Sequence, residues 1–273
     1  VLRCGRFAFP LDKPLVMGVV NVTPDSFSDG GRYFDARAAV DHARRLAEEG
    51  ADILDVGGES TRPGAAPVGE ADELSRVLPV LEKLTDFCVS VDTRRPTVMR
   101  AALAGGASMI NDIQALQAPG AIEAVRDDAC AVCLMHMKGQ PATMQREPHY
   151  DDVVAEVQRF LGERVRACEA AGIARARLVV DPGFGFGKTA QHNLALLRSL
   201  EKFKELGVPL LAGLSRKSTV GRITGRAVDE RLAGSLAMAL LALERGAKIV
   251  RAHDVGETKD VIAVWQAFSQ ASG

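Results

Sequence analysis

Leu15-Val-Met-Gly-Val-Val-Asn21 is a short apolar run that stops on a polar side chain, and seven further runs in the chain stop the same way. They are residues 52–58 before Glu59, 87–91 before Asp92, 108–110 before Asn111, 131–135 before His136, 177–180 before Asp181, 209–214 before Ser215 and 248–250 before Arg251. Runs this short, rich in Val, Ile and Leu, read as strands buried on both faces. Polar residues at one consistent end of parallel strands converge on one mouth. The pattern therefore predicts a fold and locates a site within it.

Working outward, the segments between the runs carry helical periodicity. Residues 35–49 place Ala38, Ala39, Ala43, Leu46 and Ala47 on one face, and 70–84, 152–171, 191–206, 229–244 and 257–268 follow suit. Weaker helices are expected at 96–104 and 119–128. Such alternation demands a parallel sheet with right-handed crossovers. A doubly wound open sheet would also alternate. Eight repeats, with a polar residue after every strand, favour the α/β class as a single (β/α)8 TIM barrel spanning residues 1–273. The stretch Phe7-Ala-Phe-Pro10 is expected to form a hairpin closing the barrel floor. Two long loops rich in Gly, Pro and Ser, residues 23–34 and 57–69, are candidate flaps over the catalytic face.

Composition narrows the function. The 273 residues are 47% hydrophobic and 25% charged, which suits one globular domain. A net charge of −1 argues against nucleic-acid binding, which needs a basic face. No apolar stretch has the length of a membrane helix, and the longest candidate, 232–243, is too short. No secretory leader pattern is evident. Five cysteines in a chain this long do not form a disulfide framework. Cys88, Cys130, Cys133 and Cys168 read as buried thiols in a reducing, cytoplasmic setting, despite the redox-like spacing of Cys130 and Cys133.

Several segments carry chemistry. Asp181-Pro-Gly-Phe-Gly-Phe-Gly-Lys188-Thr189 fails as a P-loop, because counting back from Gly187 lands on Pro182; its evenly spaced glycines also fail the dinucleotide fingerprint. What remains is an acidic strand tip followed by a loop presenting Phe184 and Phe186. Gly213-Leu-Ser-Arg-Lys-Ser218 places two cations and a hydroxyl after the seventh strand, a usual anion locus; Lys217 could also form a Schiff base if desolvated. Asp92, Asn111 and Asp181 suit a ring that bears amino and N–H donors beside a carbonyl, with a metal site as the rival reading. Arg251-Ala-His-Asp254 can stack on a flat ring or bind an anion. The loops beginning Asn21-Val-Thr-Pro-Asp-Ser-Phe-Ser-Asp-Gly-Gly31 and Gly57-Gly-Glu-Ser-Thr-Arg-Pro-Gly64 suit anion capture.

Taken in order, these motifs resemble the dihydropteroate synthase family over nearly the whole chain. Ala252, where that family usually has Val, is the one departure noted. The resemblance implies condensation of 6-hydroxymethyl-7,8-dihydropterin diphosphate with 4-aminobenzoate, releasing pyrophosphate. It implies that Asp92, Asn111, Asp181 and Lys217 grip the pterin while Arg251 stacks on it, with Asp92, Lys217, Arg251 and His253 serving catalysis. Asn21 would ligate Mg²⁺, and Ser26, Phe27, Asp29, Thr61, Arg62, Arg251 and His253 would surround the diphosphate. Thr61, Arg62, Pro63, Phe186, Lys217 and Ser218 would frame the aminobenzoate slot, which sulfonamides would also enter. A homodimer is implied, and the Ala/Leu-rich 232–243 segment allows it. The alternatives are a methyltransferase-type pterin domain, an aldolase acting through Lys217, and a non-catalytic barrel.

Overall fold

The computed structural model describes residues 1–22, 32–59 and 68–271. The chain opens with an antiparallel hairpin, β1 (Leu2–Cys4) and β2 (Phe7–Phe9), turned at Gly5 with φ +56°. Eight parallel strands follow: β3 (Leu15–Asn21), β4 (Ile53–Gly57), β5 (Val89–Asp92), β6 (Met109–Asp112), β7 (Ala131–Met135), β8 (Leu178–Asp181), β9 (Leu211–Ala212) and β10 (Ile249–Ala252). Each pairs with its neighbours in the spatial order β8-β7-β6-β5-β4-β3-β10-β9. A parallel bridge between Val180 and Leu210, with Val180 N–H donating to Pro209 O at 3.0 Å, brings the two ends together and closes the ring. The expected eight-stranded α/β barrel is the architecture found.

The helices on the outside are α1 (Arg32–Glu48), α2 (Glu70–Leu81), α3 (Pro96–Ala104), α4 (Ala121–Val125), α5 (Val153–Ala170), α6 (Ala190–Arg198), α7 (Ser218–Thr224), α8 (Leu232–Glu244) and α9 (Val255–Gln270). Their starts obey local chemistry. Asp152 accepts from Val154 N and Ala155 N at 2.9 and 3.0 Å to cap α5, and Pro96 opens α3 where its missing N–H costs nothing. The periodic segment 191–206 does not make one helix. It stops at Arg198 and tightens into a 3₁₀ stretch, Leu200–Leu206, in which the i, i+3 pair Leu200 and Phe203 is buried together. The 119–128 helix shrinks to the five residues of α4. The sequence reading missed α7, whose β-branched residues and glycine disguise a short turn that buries Thr219 and Val220.

Strand parity sorts the core. One set of residues, Leu15, Met17, Ile53, Cys88, Met109, Ala131, Cys133, Val179, Leu211 and Ile249, fills the barrel interior together with Leu2 and Cys4 of the hairpin. The hairpin thus closes the floor, but it begins earlier than the expected Phe7–Pro10 stretch, which supplies only its second strand, while Leu2 and Cys4 of the first fill the floor. The alternate residues, such as Val16, Leu54, Val91, Ile110, Leu134, Val180 and Val250, pack outward against the helices. Because the side-chain period is two, the inward positions next above this floor include Asp55, Asn111, Asp181, Gly213 and Arg251, with Ser90 on β5 and Asp92 one layer higher on the same strand. The barrel turns from hydrocarbon to polar and charged side chains over these two layers.

Candidate active site

Asp92, Asn111, Asp181, Lys217 and Arg251 meet at the C-terminal mouth of the barrel, as the motif reading required. Asp92 and Asn111 are register partners on β5 and β6. Arg251 Nη2 donates to Asp92 Oδ2 at 3.4 Å, and Arg251 Nε donates to Asp55 Oδ2 at 2.6 Å. Asn111 Nδ2 donates to the same Asp55 oxygen at 3.1 Å. Gly213 lies against both cations: a Cβ there would sit in ordinary contact, 3.7 Å from Lys217 Nζ and from Arg251 Cβ.

Asp55 was not singled out from sequence, yet it is the hub of the bowl. It is fully buried, and its Oδ1 and the Oδ1 of Asn111 have no hydrogen-bond partner. Two orphaned buried acceptors side by side are costly unless a ligand supplies donors. The available signal was a carboxylate in mid-strand between Leu54 and Val56, where an apolar residue would otherwise sit.

Electrostatics follow from this crowding. Burial, reinforced by Asp55, pushes the Asp92 carboxyl well up, with Arg251 opposing. Burial likewise raises Asp181, against Lys217 and the Gly183 N–H that donates to its Oδ1 at 2.7 Å. Burial depresses the Lys217 ammonium to about 8, with Arg251 helping and Asp181 opposing. For Arg251, burial works against the charge, but Asp55 and Asp92 more than restore it.

Lys217 Nζ donates to Phe184 O and lies 4.8 Å over the ring of Phe186. Of the two loop aromatics, only Phe186 is partly open; Phe184 is buried in the core, which corrects the expectation that both face the mouth. Gly183, Gly185 and Gly187 all have positive φ (+70°, +83° and +64°), so their even spacing serves repeated left-handed turns. His253 shares a hydrogen bond of 3.0 Å between its Nδ1 and Ser215 Oγ. Arg216 turns aside to pair with Asp254. Ser218 is exposed in the first turn of α7.

Asn21 ends β3 at the rim, half-buried, with the inward parity of Leu15 and Met17. Among the described residues no group of three or more His, Cys, Asp or Glu side chains could hold a metal ion. A single amide oxygen still fits Mg²⁺, which takes most of its ligands from water and substrate phosphates in such sites. Ser26, Phe27, Asp29, Thr61, Arg62 and Pro63 lie outside the described residues. The residues flanking 60–67 are firmly held. Arg95 meets both Glu59 oxygens at 3.2 Å and also donates to Val68 O, while Val68 N–H donates to Glu59 Oε1 at 3.1 Å. Arg95 is a second residue the sequence reading overlooked.

Barrel and bowl together define a pterin-binding enzyme, and the family model of that description matches residues 17–253. The dihydropteroate synthase of Neisseria meningitidis serogroup B is 54% identical over 277 residues, covering 98% of this chain and 97% of that protein. The Xanthomonas albilineans dihydropteroate synthase with 4-aminobenzoic acid superposes with a TM-score of 0.91 at 58% identity, covering 97% of this chain and 96% of that one. A Xanthomonas albilineans dihydropteroate synthase in complex with 7,8-dihydropteroate gives 0.88 at 55% identity, covering 97% of each chain. Within the pterin-binding enzymes, the chain belongs to the dihydropteroate synthase family.

Proposed function

We propose that this chain joins 6-hydroxymethyl-7,8-dihydropterin diphosphate to 4-aminobenzoate, giving 7,8-dihydropteroate and pyrophosphate. The observation that carries the reading is the acid–amide cluster, Asp55, Asp92, Asn111 and Asp181, gathered against two cations, Lys217 and Arg251. The cluster offers acceptors to the N–H edge of a pterin. Lys217 reaches the ring carbonyl, and Arg251, with His253, faces the diphosphate.

The chemistry suited to this arrangement is dissociative. The C–O bond to the diphosphate breaks with its electron pair leaving on oxygen, and the dihydropterin ring spreads the resulting positive charge. Asp92, buried beside Asp55 and Arg251, stabilises that cation in its carboxylate form, which the developing positive charge itself favours, and Arg251 and His253 stabilise the departing anion. Mg²⁺, held by Asn21 and completed by substrate oxygens and water, would neutralise further charge on the leaving group. The neutral amine of 4-aminobenzoate then forms the C–N bond and sheds one proton. Phe186, with Lys217 above its ring and Ser218 at the rim, forms the wall of the slot that orients it. Thr61, Arg62 and Pro63 are assigned to the same slot, and Ser26, Phe27 and Asp29 to the diphosphate, on motif position alone.

A homodimer is the proposed assembly. Leu240 and Leu241 on α8 and Val264 and Phe268 on α9 are exposed on adjoining helices, and Ile223 on α7 adds to the same kind of surface. A cytoplasmic setting is proposed from five buried cysteines, all free thiols. No helix among the described residues is long and apolar enough to cross a membrane. The deciding experiment is a coupled pyrophosphate-release assay. Release should require 4-aminobenzoate and Mg²⁺ together; release that ignores aminobenzoate would remove the condensation from consideration.

A further inference from the structure

The loop that carries Phe186 is almost bare of backbone pairing. Its one internal bond runs from Phe186 N to Gly183 O at 3.1 Å. Yet all five consecutive carbonyls from Gly183 to Gly187 accept from side chains. Lys188 Nζ serves Gly183 O and Phe186 O, each at 3.0 Å. Lys217 serves Phe184 O, Gln145 serves Gly185 O, and Tyr150 Oη serves Gly187 O at 2.9 Å. Gly185 N–H donates in turn to Asn193 Oδ1 at 2.9 Å.

Lys188 is the centre of this arrangement. It is 2% exposed, and beyond its two loop acceptors it meets His136 Nδ1 at 2.9 Å and His136 O at 3.3 Å. Burial pushes the Lys188 amine well below the usual lysine range, with Asp181 opposing, and its donors are shared among these four acceptors. His136 is fixed edge-on against Phe160, with ring centroids 4.9 Å apart. Burial, with Lys188 adjacent, drives the His136 imidazole down to about 2, so it stays neutral and able to accept. A buried lysine is expensive to keep. Here it ties both shoulders of the Phe184–Phe186 turn to the end of β7.

We propose that Lys188 is a positioning residue for the aminobenzoate slot: with Tyr150 and Gln145 it clamps the carbonyls of residues 183–187 and so fixes the Phe186 ring beneath Lys217. The proposal rests on the reading of Phe186 as the slot wall. It predicts a selective defect. Displacing a binding wall by about 1 Å can cost up to roughly a hundredfold in rate, whereas Asp55, Asp92 and Asn111 on β4, β5 and β6 share no bond with Lys188, and Asp181 on β8 meets the loop only through the Gly183 N–H.

The test measures KM for 4-aminobenzoate and affinity for the dihydropterin diphosphate in Lys188→Met, Tyr150→Phe, Gln145→Ala and Phe186→Ala, with near-ultraviolet circular dichroism to confirm folding. Lys188→Met should raise the aminobenzoate KM by about tenfold or more, with pterin affinity held within about threefold. Tyr150→Phe and Gln145→Ala should move the same parameter less, and they decide the matter if Lys188→Met does not fold. Equal loss of both affinities, or no change in aminobenzoate KM in these clamp variants, overturns the proposal. An unchanged KM in Phe186→Ala overturns the slot reading beneath it. A raised KM in Phe186→Ala with unaffected clamp variants overturns the clamp alone.

Discussion

Asp55→Asn isolates one negative charge without altering side-chain shape. Asp55 Oδ2 accepts from Asn111 Nδ2 at 3.1 Å and from Arg251 Nε at 2.6 Å. In the variant only the amide oxygen can take both donors, so the new NH₂ must occupy the position of Oδ1, the acceptor left without a partner. The substitution thus places a donor where a ring N–H needs an acceptor. A hydrogen bond to a charged acceptor contributes about 1.5–3 kcal/mol, and a buried donor opposed by a donor costs about 1–3 kcal/mol more. Even the lower sum, about 2.5 kcal/mol, corresponds to roughly sixtyfold weaker pterin binding.

Folding should suffer little, because Arg251 keeps Asp92 as a partner and the repulsion between Asp55 and Asp92 is relieved. Titration calorimetry with the dihydropterin diphosphate, beside thermal melts of both proteins, reads the two effects separately. Pterin affinity within about threefold of the parent in a fully folded variant would refute the reasoning. Asp55 would then be only a counter-ion for Arg251.

Three further outcomes follow from the geometry. Lys217, depressed to about 8, should help pterin binding only while protonated. The affinity lost in Lys217→Met should therefore be large at pH 7 and shrink as pH rises through 8 toward 9.5; a loss independent of pH would oppose this. Gly183→Ala would place a Cβ 1.9 Å from His136 O at φ +70°, whereas Gly185→Ala meets only Lys217 Cδ at 3.4 Å. The second should cost about 1–2 kcal/mol for the left-handed backbone and the first clearly more, visible as a lower melting temperature; equal melting temperatures would contradict the clash. Leu241→Glu, at a position 48% exposed on α8, should yield monomers in analytical ultracentrifugation; an unchanged sedimentation coefficient in a dimeric parent would move the interface elsewhere.

How much of this was legible in the sequence depends on where each residue sits. Asp92, Asn111, Asp181 and Arg251 could be found because each ends an apolar run, and strand parity then turns them all inward. Asp55 escaped because it lies inside a run, two residues below the tip, where a polar side chain does not interrupt the hydrophobic pattern enough to mark it. Lys188 was passed over once the P-loop spacing failed. Its actual role depends on His136 and Tyr150, which are 52 and 38 positions earlier and are brought to it only by the fold. Helix existence was readable from periodicity, but the break after Arg198 was not, since Leu196, Leu197, Leu200 and Phe203 suit either a continuous helix or a tightened turn.

The bowl also explains why the two halves of one substrate should bind cooperatively. Arg251 presents a flat set of N–H donors to Asp55 and Asp92, the same chemistry as the guanidine-like edge of a pterin. A ring that docks at the open Asp55 Oδ1 and also takes Asp92 must therefore displace the guanidinium from Asp92, and that displacement is costly unless Arg251 finds another anion. The diphosphate supplies one, on the same ligand and at the same mouth. Removing the diphosphate should then weaken pterin binding by more than the phosphates' own contacts, because Arg251 is left without compensation. A charge-assisted hydrogen bond of about 1.5–3 kcal/mol sets the scale, roughly tenfold to a hundredfold. In Arg251→Met that extra penalty should vanish, since there is no guanidinium to displace. If calorimetry finds the diphosphate advantage equal in the parent and in Arg251→Met, the two halves bind independently and Arg251 does not couple them.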